Sequence, residues 1–228
     1  MATPAMGQSL DIDFGEGGSA TGRLVQLLLI LTVLTLAPSI IIMVTSFTRI
    51  IVVLSFLRNA IGMPQTPPNM VMVSLALFLT AFIMAPTLER AYDEALVPLM
   101  AEEIDEAEAF ERASGPVRDF MLRHVRPQDL NLFLDISGAE PVTSAEATPL
   151  RALVPAFMIS ELRRAFEIGF LLFVPFLIID LVVASVLMSM GMLMLPPVLI
   201  SLPFKLIFFV LVDGWYLVAG SLVQSFGT

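Results

Sequence analysis

Leu24-Val-Gln-Leu-Leu-Leu-Ile-Leu-Thr-Val-Leu-Thr-Leu-Ala-Pro-Ser-Ile-Ile-Ile-Met-Val44 runs for 21 residues without a charge, and Pro38 is its only helix breaker. A helix needs about 20 apolar residues to cross the hydrocarbon core of a bilayer. The stretch therefore reads as a membrane span. Three more follow: residues 70 to 88, equally uncharged; 166 to 187, interrupted by Glu167, Pro175 and Asp180; and 198 to 223, interrupted by Pro203, Lys205 and Asp213. The composition of the chain agrees, since its 228 residues are 57% hydrophobic and 14% charged, against roughly 45–50% apolar residues in soluble domains. The expected fold is all-α: an integral membrane protein of about four long hydrophobic helices in two helical hairpins, with a helical extramembrane middle domain.

Charge divides the chain further. Residues 89 to 146 hold 14 acidic and 5 basic side chains, which accounts for the whole net charge of −9; elsewhere the chain has seven of each. The expected organisation is a flexible Gly- and Ser-rich tail (1–22), a first hydrophobic hairpin (23–88), an acidic helical domain (89–150) and a second hairpin (151–228). Residues 1 to 22 contain no Lys or Arg, so the first span lacks the n-region of a cleavable signal and reads as an anchor. Within the acidic domain, 89 to 100, 102 to 113 and 117 to 126 have helical character, Arg126-Pro127 reads as a stop, and 134 to 149 reads as loop. Arg49 and Arg58 with no acid between the first two spans place that loop in the cytoplasm and the acidic domain outside.

The same inventory excludes most chemistry. There is no cysteine and one histidine, His124, so no thiol nucleophile and no His-rich metal cluster is available. Without a basic stripe, nucleic acid is not an expected partner. No phosphate-binding or dinucleotide fingerprint occurs. No enzyme activity, cofactor or metal is expected, and His124 reads as an ordinary surface histidine.

The most unusual local feature is Met188, Met190, Met192 and Met194 at every second position, with Gly191 inside the run and Pro196-Pro197 closing it. In an extended loop such positions share one side. Methionine is unbranched and deformable, so loops of this kind arranged in a ring suit a seal that yields to a passing chain; the plain alternative is gap filling in a helix bundle. Gly191 precedes Pro196-Pro197 by the same interval at which Gly62 precedes Pro67-Pro68. Both then read as turns between paired spans.

Charges inside spans cost a few kcal/mol each on insertion scales, so Glu167, Asp180, Lys205 and Asp213 are functional candidates. Lys205 and Asp213 suit packing contacts between subunits, or a polar pathway. Glu161 with Arg164, and Arg163 with Glu167, have the spacing of ion pairs on one helix face. Arg49 follows Thr45-Ser46-Phe47-Thr48, where the first helix is expected to continue; it and Arg58 point to opposite sides and read as interface anchors.

Several motifs resemble one family. Thr45-Ser-Phe-Thr-Arg-Ile-Ile (45 to 51), Leu57-Arg-Asn-Ala (57 to 60), Pro67-Pro-Asn (67 to 69), Ala76-Leu-Phe-Leu-Thr (76 to 80), Phe173-Val-Pro-Phe-Leu-Ile-Ile-Asp-Leu-Val (173 to 182), and Leu202-Pro-Phe-Lys-Leu through Val212-Asp-Gly-Trp are similar to the FliP family. The resemblance runs from Leu24 to Phe226. It implies a pore-forming subunit of the flagellar type III protein export gate in the bacterial inner membrane, at the flagellar basal body. It implies a self-assembled pentamer with FliQ-like and FliR-like subunits and other export apparatus proteins, in contact with lipid, passing unfolded flagellar proteins. It also implies that Met192, Leu193 and Met194 form a gasket, supported by Met190, Gly191, Pro196 and Pro197, although Leu193 stands where relatives carry a methionine. Arg49, Glu161, Arg164, Asp180, Lys205 and Asp213 are the candidates for intersubunit contact or a polar path. Relatives commonly carry a cleavable signal where this chain has its Gly- and Ser-rich tail.

Overall fold

The computed structural model describes residues 20 to 138, 148 to 192 and 194 to 227. The expected tail up to residue 19, the stretch from 139 to 147 and Leu193 lie outside the described residues. The described chain is helical, with no strand in it: α1 (Ala20–Val44), α2 (Phe47–Ile61), α3 (Asn69–Ala91), a π-helical turn (Tyr92–Leu96), α4 (Val97–Met100), α5 (Glu106–His124), α6 (Pro127–Ser137), α7 (Leu150–Ser189), α8 (Pro197–Leu211) and α9 (Gly214–Gln224). Two compact units divide at residue 41. The first contains most of α1, whose Leu24, Leu28, Leu31 and Leu34 are exposed. Such a helix has the length and composition of a span.

The second unit begins at Ile42 and includes the bend formed by Thr45 and Ser46, where the helix expected to run on from the first span is broken. The α2 helix that follows is a separate element with its own apolar stripe. Ile50, Val53, Leu54, Leu57 and Ile61 are all buried, at the i, i+3, i+4, i+7 spacing of one helix face. That stripe joins a core with Met72, Ala76, Ile83 and Met84 of α3 and Leu153, Phe157 and Ala165 of α7. Gly169 of α7 makes the approach of α2 possible, because a Cβ there would meet the ring of Phe56 at 2.6 Å.

Both Gly-Pro-Pro turns close in the same way. Met63 N–H donates to Arg58 O and Gly62 N–H to Asn59 O; Met192 N–H donates to Leu187 O and Gly191 N–H to Met188 O. Each glycine sits at positive φ, 90° at Gly62 and 74° at Gly191, which is the left-handed C-terminal closure that favours glycine. Prolines then start the next helix: Pro68 precedes α3 and Pro197 opens α8.

The middle segment is more helical than its sequence suggests. Asp105 accepts from Glu108 N–H at 2.8 Å and caps a single 19-residue α5 where two shorter helical stretches are expected. The helix expected to stop at Arg126-Pro127 does end, at His124, but Pro127 also opens α6, which runs to Ser137 inside the stretch expected to be loop. Proline lacks only a donor that the first helical turn does not use. In the π-helical turn Val97 N–H reaches back five residues to Tyr92 O, directly before Pro98, which has no N–H to donate.

The two later spans also differ from expectation. With 40 residues, α7 is about 60 Å long, roughly twice the hydrocarbon thickness. Its first half is buried through Ala152, Leu153, Ala156, Phe157, Ser160 and Glu161, while its second half exposes Phe170, Leu171, Leu181 and Val182. The fourth span is broken at Val212-Asp213, where α8 and α9 meet at a bend of 63°.

Candidate functional site

Two clusters of buried charge and one exposed loop carry the candidate residues. The first cluster is centred on Arg49, which follows the Thr45-Ser46 bend and is only 2% exposed, facing a fully buried Glu161. Arg49 Nε donates to Glu161 Oε2 at 2.8 Å, and Nη2 donates to Oε1 of the same carboxylate. This is the bidentate fork that arginine forms with carboxylates. Arg49 Nη1 also reaches Ser225 Oγ at 2.9 Å and Ser225 O at 3.0 Å, and the guanidinium carbon lies 3.6 Å from the centre of the Phe226 ring. One side chain thus ties α2, α7 and the residues after α9 together.

The expectations for these residues are corrected. Arg49 is not an interface anchor, and Glu161 does not pair with Arg164 on an exposed face. Helical spacing identifies neighbours on one helix, but burial leaves Glu161 dependent on the cation that is buried with it. Arg164 lies exposed, 3.9 Å from Glu167, which Arg163 approaches at 3.0 Å. His124 is no plain surface residue either. Its half-buried ring packs, tilted, against both Phe120, 4.6 Å away, and Phe226, 5.1 Å away.

The second cluster joins α7, α8 and α2. Lys205, 3% exposed, donates to Asp180 Oδ2 at 2.6 Å and to Ala60 O at 3.2 Å. The buried Ser201 hydroxyl donates to the other oxygen of the Asp180 carboxylate. The ammonium is therefore held between a carboxylate and a carbonyl in the last turn of α2. Asp180 and Lys205 lie on either side of the methionine turn, so the pair fastens the base of that hairpin. Lys205 thus pairs with Asp180 and not with Asp213, which is exposed at the α8–α9 break.

At the far end of the hairpin stands the loop. Met188 belongs to the last turn of α7 and Met190 closes it, so the four methionines do not share one extended segment; only Met192 and Met194 lie beyond the turn at Gly191. Met190 and Met192 are about half exposed and Met194 is 98% exposed. Pro196 and Pro197 start the descent into α8. Among the described residues no three His, Asp or Glu side chains are grouped as a metal site requires.

Ser201, Ser225, Phe226 and the carbonyl of Ala60 were not legible as partners in the sequence, because each contributes through distant tertiary contact. An arginine five residues after an uncharged apolar run was the only local signal for the first cluster.

Long apolar helices, internally neutralised charges and an exposed methionine hairpin together define an all-helical integral membrane protein. The family model described as "FliP family" matches residues 30–222. A relative from Caulobacter vibrioides, "Flagellar biosynthetic protein FliP", is 64% identical over 99% of this chain and 85% of its own. Relatives of the same name from Bacillus subtilis and Aquifex aeolicus are 57% and 53% identical, covering 89% and 95% of this chain and 91% of each relative. The chain belongs to the FliP family, non-enzymatic membrane components of the flagellar export apparatus.

Proposed function

We propose that this chain is the pore-forming subunit of the flagellar export gate in the bacterial inner membrane. Copies of it assemble, as a pentamer with FliQ-like and FliR-like subunits, around a passage for unfolded flagellar proteins. The acidic middle domain faces the periplasm. The loop of Met192, Leu193 and Met194, held by Met190, Gly191, Pro196 and Pro197, closes the passage.

The observation that carries this reading is the near-complete exposure of Met194 at the tip of a hairpin whose base is clasped by Asp180 and Lys205. A methionine that fills a gap is surrounded by its own chain. A flexible thioether presented to the outside from a fixed stem instead suits a soft contact with copies of itself or with a passing polypeptide.

Replacing Met192, Leu193 and Met194 together by Ala in the assembled complex is expected to make the membrane leaky to ions, measured as conductance in planar bilayers. An unchanged conductance overturns the seal. A proton-linked transporter using Asp180, Lys205 and Asp213 is the competing function. The mutual engagement of Asp180 and Lys205 speaks against it, because both groups are already held by protein partners. It gains ground only if Asp180→Asn or Asp213→Asn abolishes flux while the loop substitution has no effect.

A further inference from the structure

Asp213 is one of two non-glycine residues at positive φ among the described residues, at 51°, and it stands where α8 gives way to α9. The bend there is built in. Gly214 is buried against the Phe209 ring, so closely that a side chain at 214 has no room.

The break also frees backbone acceptors. Val212 N–H donates to Phe208 O, Asp213 N–H turns back to Val210 O, and the next bond across the junction runs from Leu217 N–H to Asp213 O. Among the described residues no donor reaches the carbonyls of Leu211 and Val212, and no Lys or Arg pairs with the Asp213 carboxylate. These acceptors do not sit in a polar surface: Val210, Leu211 and Tyr216 around them are each more than 70% exposed, and Leu217 is 52% exposed. At membrane depth, irregular backbone and a carboxylate are tolerated where protein covers them or where they line water. Surrounding apolar side chains of this size disfavour a water-lined path.

The chain itself shows what satisfies such a cluster. Lys205 bridges the Asp180 carboxylate and the Ala60 carbonyl at the end of α2, so one cation serves a carboxylate and a helix C-terminus in apolar surroundings. The Asp213 break offers the same two kinds of acceptor on the outer surface. We propose that it is the docking point for an apolar membrane helix of another chain that carries a single Lys or Arg, the cation bonding to Asp213 and to the last carbonyls of α8. A second copy of this chain fits less well. Its Lys205, Arg49 and Arg58 are engaged internally, Arg163 and Arg164 face Glu167, and Arg151, exposed without a carboxylate partner among the described residues, stands at the very start of α7, beside the part of that helix buried in its own chain.

The inference rests on the assembly of this chain with others, and not on the methionine seal. The test uses the full chain in its own membranes, with a photo-crosslinking amino acid at Leu217, followed by mass spectrometry of the crosslinked peptides. The expected product joins Leu217 to an apolar segment of a different chain with a Lys or Arg within one helical turn. Asp213→Asn lowers its yield at least about thirtyfold at equal chain abundance, the lower end of the scale expected for loss of one partner of a desolvated charge pair. Asp213→Lys abolishes it, and Asp or Glu at the mapped basic position restores it. Crosslinks to lipid alone, to a second copy of this chain or to a segment without a basic residue overturn the proposal, as does an unchanged yield with Asp213→Asn. If the Asp213 variants do not accumulate, the crosslink of the unsubstituted chain decides by itself. A mapped basic helix combined with a loop variant that does not leak would sustain this contact and remove the seal.

Discussion

At Arg49 the chain places a guanidinium in its interior, and its neighbours show why that is stable. Two bonds to Glu161, two to Ser225 and the face of Phe226 replace the water it gives up. Glu161→Gln removes the charge and leaves Arg49 buried without its counter-charge, a loss of about 3–5 kcal/mol for a broken buried pair. The expected result is a large fall in the thermal midpoint of the detergent-solubilised chain. The double variant Arg49→Met with Glu161→Leu removes both charges and is expected to recover much of that loss; a double variant as unstable as Glu161→Gln contradicts the argument. Asp180 and Lys205 stood out in the sequence because charges are costly inside spans. Their pairing with each other did not, since they lie on two helices joined by a turn and spacing along one helix says nothing about its neighbour.

At the scale of the element, the two turns are the most legible features. Glycine followed by Pro-Pro predicts a reversal, and both glycines adopt the left-handed conformation that the reversal requires. Gly62→Ala is expected to destabilise the α2–α3 hairpin by about 1–2 kcal/mol, the usual penalty for a Cβ in that region, and the Leu202 side chain stands 3.3 Å from where that Cβ would be. A thermal midpoint equal to that of the unsubstituted chain overturns this. Gly169→Val tests packing in place of conformation. Its side chain would occupy the space of the Phe56 ring, so α7 and α2 must separate, and the expected outcome is loss of the chain from membranes by immunoblot. Pro127 shows the limit of such reading. A proline after a helix looks like a stop, but it also fits the first turn of a new helix, and only the contact of α6 with α7 selects the second role. Ser160 makes that contact, accepting from Arg126 N–H at 3.0 Å and donating to Asp129 at 2.7 Å.

At the scale of the whole molecule, the second half of α7, together with α8 and α9, presents large apolar side chains outward. Lipid covers part of such a surface, and the exposed acceptors at the α8–α9 break call for protein. The chain extracted in mild detergent is therefore expected to have the mass of several chains by native mass spectrometry; a monodisperse monomer contradicts it. The amino-acid sequence by itself determined that the protein is helical and membrane-embedded, where the reversals lie and which charges are out of place, because hydropathy, helix length and glycine or proline geometry are local properties. The tertiary structure alone decided that Arg49 meets Glu161, that Lys205 meets Asp180, and that Asp213 is left facing outward. A buried charge takes whichever partner packing brings within hydrogen-bond reach, and that partner can stand a hundred residues away.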